Sequence, residues 1–178
     1  LLAQQFVRLP FLAQSVLFWL AIVREPVDVS SLLARFVTPI PRLQLLEALE
    51  DLRRRSLVEQ GHQRSLFTLQ SVVMEFVTYK LVQQVADEVQ RKEPDALLSY
   101  ALSLVSTKEY IRQTQERLLL APVLFHLGAS QLRKGVVEQQ LLRSLDRLRS
   151  YDVNEQGYGP SNVAMLLGHL NGHLKGIN

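Results

Sequence analysis

Residues 10–79, PFLAQSVLFWLAIVREPVDVSSLLARFVTPIPRLQLLEALEDLRRRSLVEQGHQRSLFTLQSVVMEFVTY, decide how the chain reads. In 11–23, Leu12, Val16, Trp19, Leu20 and Val23 recur at helical spacing, with Phe11, Leu17, Phe18 and Ile22 beside them. A helix apolar around so much of its circumference is buried on most sides, so this is the expected core helix, with Trp19 inside it. Residues 24–28 read as a turn, after which Asp28 or Ser30 can cap a short helix over 31–37. Pro39 breaks the chain again, and Pro41 suits the first position of a helix over 42–56. There Leu45, Leu46, Leu49 and Leu52 form the apolar stripe, while Glu47, Glu50, Asp51 and Arg54 lie away from it. Residues 57–60 and 65–69 are short apolar or alternating runs, joined by the turn Gly61-His62-Gln63-Arg64. Helical spacing then returns over 72–91 through Val73, Phe76, Val77, Leu81, Val85 and Val89. Three helices, a hairpin and a further helix are the order of a winged helix. The expected fold is therefore mainly all-α, with a small β-hairpin wing and an antiparallel helical array behind it.

Outward from this stretch, residues 1–9 (LLAQQFVRL) are amphipathic and read as the tail of an element that begins earlier. On the other side, Pro94 marks a boundary. A short helix is expected over 95–105, and Ser106-Thr107-Lys108-Glu109 has the pattern of a capping box opening another. That helix carries Tyr110, Ile111, Thr114 and Leu118 and should kink or end at Pro122, resuming over 123–132. A further helix is expected over 136–148, with Val137, Leu141, Leu145 and Leu148 on one side. A polar loop over 151–160 leads to a last short helix over 161–170. Short connections favour antiparallel neighbours. The expected division is 1–9, a winged helix over 10–92, and a helical array over 93–178.

Composition narrows the function. Apolar residues make up 47% and charged residues 21% of 178 residues, ordinary for a globular protein. Net charge is +3 and pI about 9.4, with opposite charges interspersed along the helices instead of gathered into a basic tract. Absence of cysteine excludes disulfides, thiolate metal sites and cysteine nucleophiles, and fits a reducing cytoplasm. The chain opens on Leu1, so a piece of something longer is expected. The longest apolar run, near 16–23, is too short to span a bilayer, and no membrane partner is expected.

No phosphate-binding loop or dinucleotide glycine motif is present, so no nucleotide cradle is expected within these residues. His169 and His173 are four apart, the spacing of a metal pair, yet no carboxylate or cysteine is close in sequence and Gly172 intervenes. His62 falls in the wing turn, and His126 follows Phe125 in a setting that reads as core or boundary. Carboxylates stand beside arginines on helix faces, as in Glu47, Glu50 and Asp51 with Arg53, Arg54 and Arg55, which is a charged surface and not an acid–base pair. No catalytic, cofactor-binding or metal-binding residue is assigned, and the chain by itself is not expected to be an enzyme.

A winged helix commonly lays its third helix in the major groove of DNA. Here that helix offers Gln44, Glu47, Glu50 and Asp51 before any arginine on its exposed face, and the wing offers only His62 and Arg64 as cations. Carboxylates repel phosphate, so a DNA-binding transcriptional regulator is the alternative reading and DNA is not the expected partner. A scaffold whose C-terminal helices bind a protein is a third.

The runs VLFWLAIVREPVDVSSL (16–32), LLEALEDLRRRSLVEQ (45–60) and FTLQSVVMEFVTYKLVQQV (67–85) resemble the winged-helix segment of bacterial NB-ARC (STAND-class) signalling ATPases. LLAQQFVRLP (1–10) resembles the end of the helical domain that precedes it there, and GYGPSNVAMLLGHLNGHLKGIN (157–178) the segment leading into pentapeptide or WD repeats. The resemblance implies a regulatory fragment for signal transduction. It would pack on a nucleotide-binding domain of the same chain and couple nucleotide state to downstream repeats. ATP or ADP with Mg is implied for the full-length protein, and no cofactor for this fragment. In that family a Met-His-Asp motif opens the helix after the wing, and its histidine senses the nucleotide phosphates. The matching positions are Leu69, Gln70 and Ser71, so the resemblance implies Gln70 and Ser71 as the residues nearest the nucleotide. Gln70 can donate a hydrogen bond but carries no charge, and Ser71 does not replace the carboxylate.

Overall fold

In the computed structural model, which describes residues 2–61, 65–91, 93–104, 108–129 and 133–172, the helix expected over 11–23 is α2, Phe11–Val23. Its apolar circumference does what it should. Every residue from Ser15 to Val23 is buried, and Trp19 is 0% exposed. Phe11, at the start of the helix, is 71% exposed, while Ala13 two residues on is buried. The preceding α1, Leu2–Val7, brings Phe6 against Phe18 at 5.5 Å and against Phe76 at 5.7 Å between ring centroids. Arg24 ends α2 in the left-handed region, φ 58°, with its N–H on the Leu20 carbonyl, and its guanidinium donates to Thr78 Oγ1 at 3.1 Å.

The expected turn at 24–28 is in part a strand. β1, Val27–Asp28, pairs antiparallel with β3, Leu66–Leu69, which also pairs with β2, Val58–Gln60. The sheet order is β1-β3-β2, with Val27 opposite Phe67 and Val58 opposite Leu69. Two residues have no periodicity to read, so only the long-range partner makes this a strand. Asp28 then caps α3, Val29–Leu33, accepting from the Ser31 N–H at 2.9 Å and the Ser31 hydroxyl at 2.6 Å. These hydrogen bonds hold its carboxyl below the usual value. The helix starts earlier and stops earlier than the expected 31–37.

α4, Arg42–Arg54, follows Pro41 and buries Leu45, Leu49 and Leu52 against α2 and β2. Leu46, expected in that stripe, is instead 39% exposed: the arc facing α2 passes through the other three. Ser56 at φ 57° ends the helix, and the Leu57 N–H returns to the Leu52 carbonyl. The wing turn at 62–64, with His62 and Arg64, lies outside the described residues. The order α2-β1-α3-α4-β2-β3 and then α5, Ser71–Arg91, is that of a winged helix. Residues 1–79 form one compact unit and 80–178 a second, the division falling within α5.

In the second unit, Val85, Ala86 and Val89 of α5 are buried. Glu88 of the same helix accepts from the backbone N–H groups of Asp95, Ala96 and Leu97 at 2.9, 3.0 and 3.1 Å, capping α6, Ala96–Ser99, from outside. The helix expected over 95–105 is this single turn. Tyr100 is already extended, φ −127° and ψ 138°, because the following backbone is claimed by Asn162. The expected capping box lies partly outside the described residues, and α7 is Glu109–Gln115. Pro122 does not stop the helix. Residues Glu116–Leu120 widen into a π-helical turn, the Ala121 N–H reaching the Glu116 carbonyl, and α8, Ala121–His126, follows directly with Pro122 in its first turn. The wider turn removes the bond that Pro122 cannot donate. α9, Lys134–Leu148, and α10, Gly159–Leu170, complete the unit. α10 packs on α9, α6 and α8 and is its centre.

Asn162, 1% exposed, fixes α10 to the α6 segment. Its Oδ1 accepts from the Leu102 N–H at 2.8 Å, and its Nδ2 donates to the carbonyls of Leu97 at 2.8 Å and Tyr100 at 2.6 Å. One turn earlier, Gly159 lies so close to this segment that an added Cβ would stand 2.7 Å from Leu98 Cδ2 and 2.9 Å from Leu148 Cδ1. No helix among the described residues is long and apolar enough to cross a membrane.

Candidate functional site

Two places in the first unit carry the functional question. The first is the outward face of α4. Because Leu45, Leu49 and Leu52 point inward, the opposite arc runs through Leu43, Glu47, Glu50 and Arg54, flanked by Leu46 and Asp51. Leu43 is 66% exposed. A shallow depression of about 330 Å³ runs along this arc, lined by Leu46, Glu47, Glu50, Asp51 and Arg54.

The arginines that could meet a phosphate backbone are held by carboxylates of the same helix. Arg53 donates to Glu50 through two nitrogens, at 2.8 and 3.0 Å, and Arg54 stands 3.6 Å from the same carboxylate. Arg55 reaches Asp51 at 3.0 Å. The hydrogen bond from Arg53 is the main reason that the Glu50 carboxyl sits below its usual value, and Glu50 in turn raises Arg53. Glu47 has no ion-pair partner among the described residues. These pairs were legible as i,i+3 and i,i+4 spacings. Each is exposed and contributes little to stability, yet together they leave the helix with a mixed and locally balanced surface.

The second place is the junction after the wing. Leu69 is buried at the end of β3. Gln70 is half-buried, and its carbonyl accepts the first α5 bond, from the Met74 N–H at 2.8 Å. Ser71 is exposed and opens the helix, followed by Val72 at 72% exposed. The two candidate residues therefore stand at the N-terminus of a long helix, where free backbone N–H groups face outward.

The other candidates separate. His126 is exposed, not core, with Phe125 beside it at 77% exposed; the apolar neighbours in sequence are on the other side of α8. His169 is exposed on α10, and His173 lies outside the described residues. Among the described residues no three His, Cys, Asp or Glu side chains are grouped to hold a metal ion.

An uncharacterized WD repeat-containing protein of Nostoc sp. is 34% identical to the chain over an alignment of 211 residues, which takes in all of this chain and 17% of the relative. The chain thus corresponds to one segment of a much longer, repeat-bearing relative. No protein-family model matches the chain, and no solved structure does.

Proposed function

We propose that the chain is a non-catalytic regulatory segment of a larger signalling ATPase of the NB-ARC type, its winged helix relaying nucleotide state toward C-terminal repeats. The observation that carries the protein-facing reading is the outward face of α4, where Glu50 and Asp51 hold Arg53 and Arg55 in close ion pairs and Arg54, 3.6 Å from Glu50, is the one arginine of the three left loosely held toward an external phosphate. A DNA reader needs donors free to meet phosphates and base edges on that helix. The repeat-bearing relative supports a downstream repeat domain.

In this reading the nucleotide-binding domain faces the Leu69-Gln70-Ser71 junction. Gln70 offers an amide donor and the α5 N-terminus offers backbone donors, a combination suited to a phosphate oxygen. With no charge there, the segment's share of the affinity is that of neutral hydrogen bonds, a modest one. A swing of the winged helix as a rigid body between nucleotide states would carry the signal. The test uses two proteins. The 178-residue chain should show no heat of binding with ADP in calorimetry, while the full-length protein should bind it. Gln70→Ala in the full-length protein should change ADP retention several-fold. Micromolar ADP binding by the chain alone, or an unchanged retention in the variant, would sink the proposal.

A further inference from the structure

We infer that the outward face of α4 docks on a second copy of itself, antiparallel about a two-fold axis that passes between Glu50 and Asp51. A two-fold interface must be self-complementary, because each patch meets its own image. The α4 arc has that property. Its N-terminal half is apolar and acidic, with exposed Leu43 and Leu46 and with Glu47, which has no ion-pair partner among the described residues. Its C-terminal end is basic, with Arg54 at 72% side-chain exposure and held only loosely, 3.6 Å from Glu50.

Glu47 and Arg54 stand seven residues apart on one line of the helix, two turns or about 10 Å. An antiparallel copy centred between Glu50 and Asp51 brings each Glu47 opposite the other copy's Arg54, giving two equivalent ion pairs. Carboxylates that meet at the axis do not oppose this, because Arg53 and Arg55 already neutralise Glu50 and Asp51 within each chain. The shallow depression bounded by Leu46, Glu47, Glu50, Asp51 and Arg54 is the seat for the opposing side chains. A parallel pairing would set like charges together and is excluded by the same pattern. The inference is independent of nucleotide coupling and stands or falls on the charges of α4.

One face of a helix about 20 Å long does not fill the roughly 800 Å² per partner of a standard interface. The dimer is therefore weak, with a Kd on the order of 100 µM, and becomes significant where a larger assembly holds copies together.

Sedimentation velocity of the 178-residue chain at low salt, from roughly 5 to 500 µM, should show a reversible monomer–dimer equilibrium that weakens as salt is raised. Glu47→Arg and Arg54→Glu, each alone, place two like-charge pairs in the interface and should raise Kd at least about ten-fold. The double variant E47R/R54E exchanges the charges and should return to within about three-fold of the parent. All substituted side chains are exposed, and unchanged circular dichroism and melting will confirm that the variants fold. A parent that stays monomeric across the range overturns the inference, as does a dimer strengthened by salt or a double variant that fails to recover.

Discussion

Asn162→Ala should be the most damaging single substitution of a polar residue in the second unit. The side chain satisfies three backbone groups that water does not reach: the Leu102 N–H and the Leu97 and Tyr100 carbonyls, of residues 0%, 0% and 4% exposed. Leaving a buried donor or acceptor unsatisfied costs about 1–3 kcal/mol. Three such groups therefore cost at least about 3 kcal/mol, and partial relaxation of the segment should keep the loss near 3–5 kcal/mol. That is a large fraction of the roughly 5–15 kcal/mol that holds a typical domain together. Urea denaturation followed by far-UV circular dichroism should show the midpoint falling by roughly 2 M, given slopes of about 1–3 kcal/mol per molar. Asn162→Asp separates hydrogen bonding from packing. The carboxylate keeps the acceptor for Leu102 but sets negative charge against two carbonyl oxygens, so at neutral pH it should be worse than alanine. It should recover on acidification, since a protonated carboxyl can donate to one carbonyl. An alanine variant within about 1 kcal/mol of the parent, or an aspartate variant milder than alanine at neutral pH, would refute the latch.

Gly159→Ala should destabilise by about 1–2 kcal/mol, because its Cβ would enter the space of Leu98 and the buried Leu148; thermal melting checks this, and a rise in Tm would contradict it. The Glu109 carboxyl is held below its ordinary value of about 4.5 chiefly by the Arg112 hydrogen bond and then by Gln113. Its contribution is therefore complete above pH 4.5 and is lost as pH falls through the lower folded-state value. Glu109→Gln should melt below the parent at neutral pH, with the gap closing on acidification past 4.5; a gap that widens would reverse the assignment. Mobility shifts with random duplex at low salt should show no tight, salt-sensitive complex, and one that appears would restore the DNA reading.

The winged helix was legible because its parts announce themselves locally. The apolar circumference of 11–23 and the stripe through Leu45, Leu49 and Leu52 each have one structural meaning, and the runs either side of the wing turn pair as strands. What was not legible depends on partners far along the chain. Val27 and Asp28 become a strand only because Phe67 and Leu66 lie beside them. The segment 100–104 leaves helical geometry because Asn162, some sixty residues on, accepts and donates where a helix would have bonded itself. Pro122 was read as a kink or an end, and the helix continues through it by a local widening just before it. At the candidate site, the pairing of arginines with carboxylates followed from spacing alone. The exposure of Leu46 and His126 did not, because periodicity marks a face without saying how wide the buried arc is.

The small sheet also bears on how the chain survives before it is fully folded. Its longest strand, β3, is in the middle, and the two strands on the outside are two and three residues long. An outer strand so short has too few free N–H and C=O groups to recruit a strand from another molecule, and β2 carries the exposed Glu59 and Gln60 besides. β1 covers the other edge of β3 at Leu66 and Phe67. A change that loosens Val27 would uncover that edge, and should raise aggregation as well as lower stability.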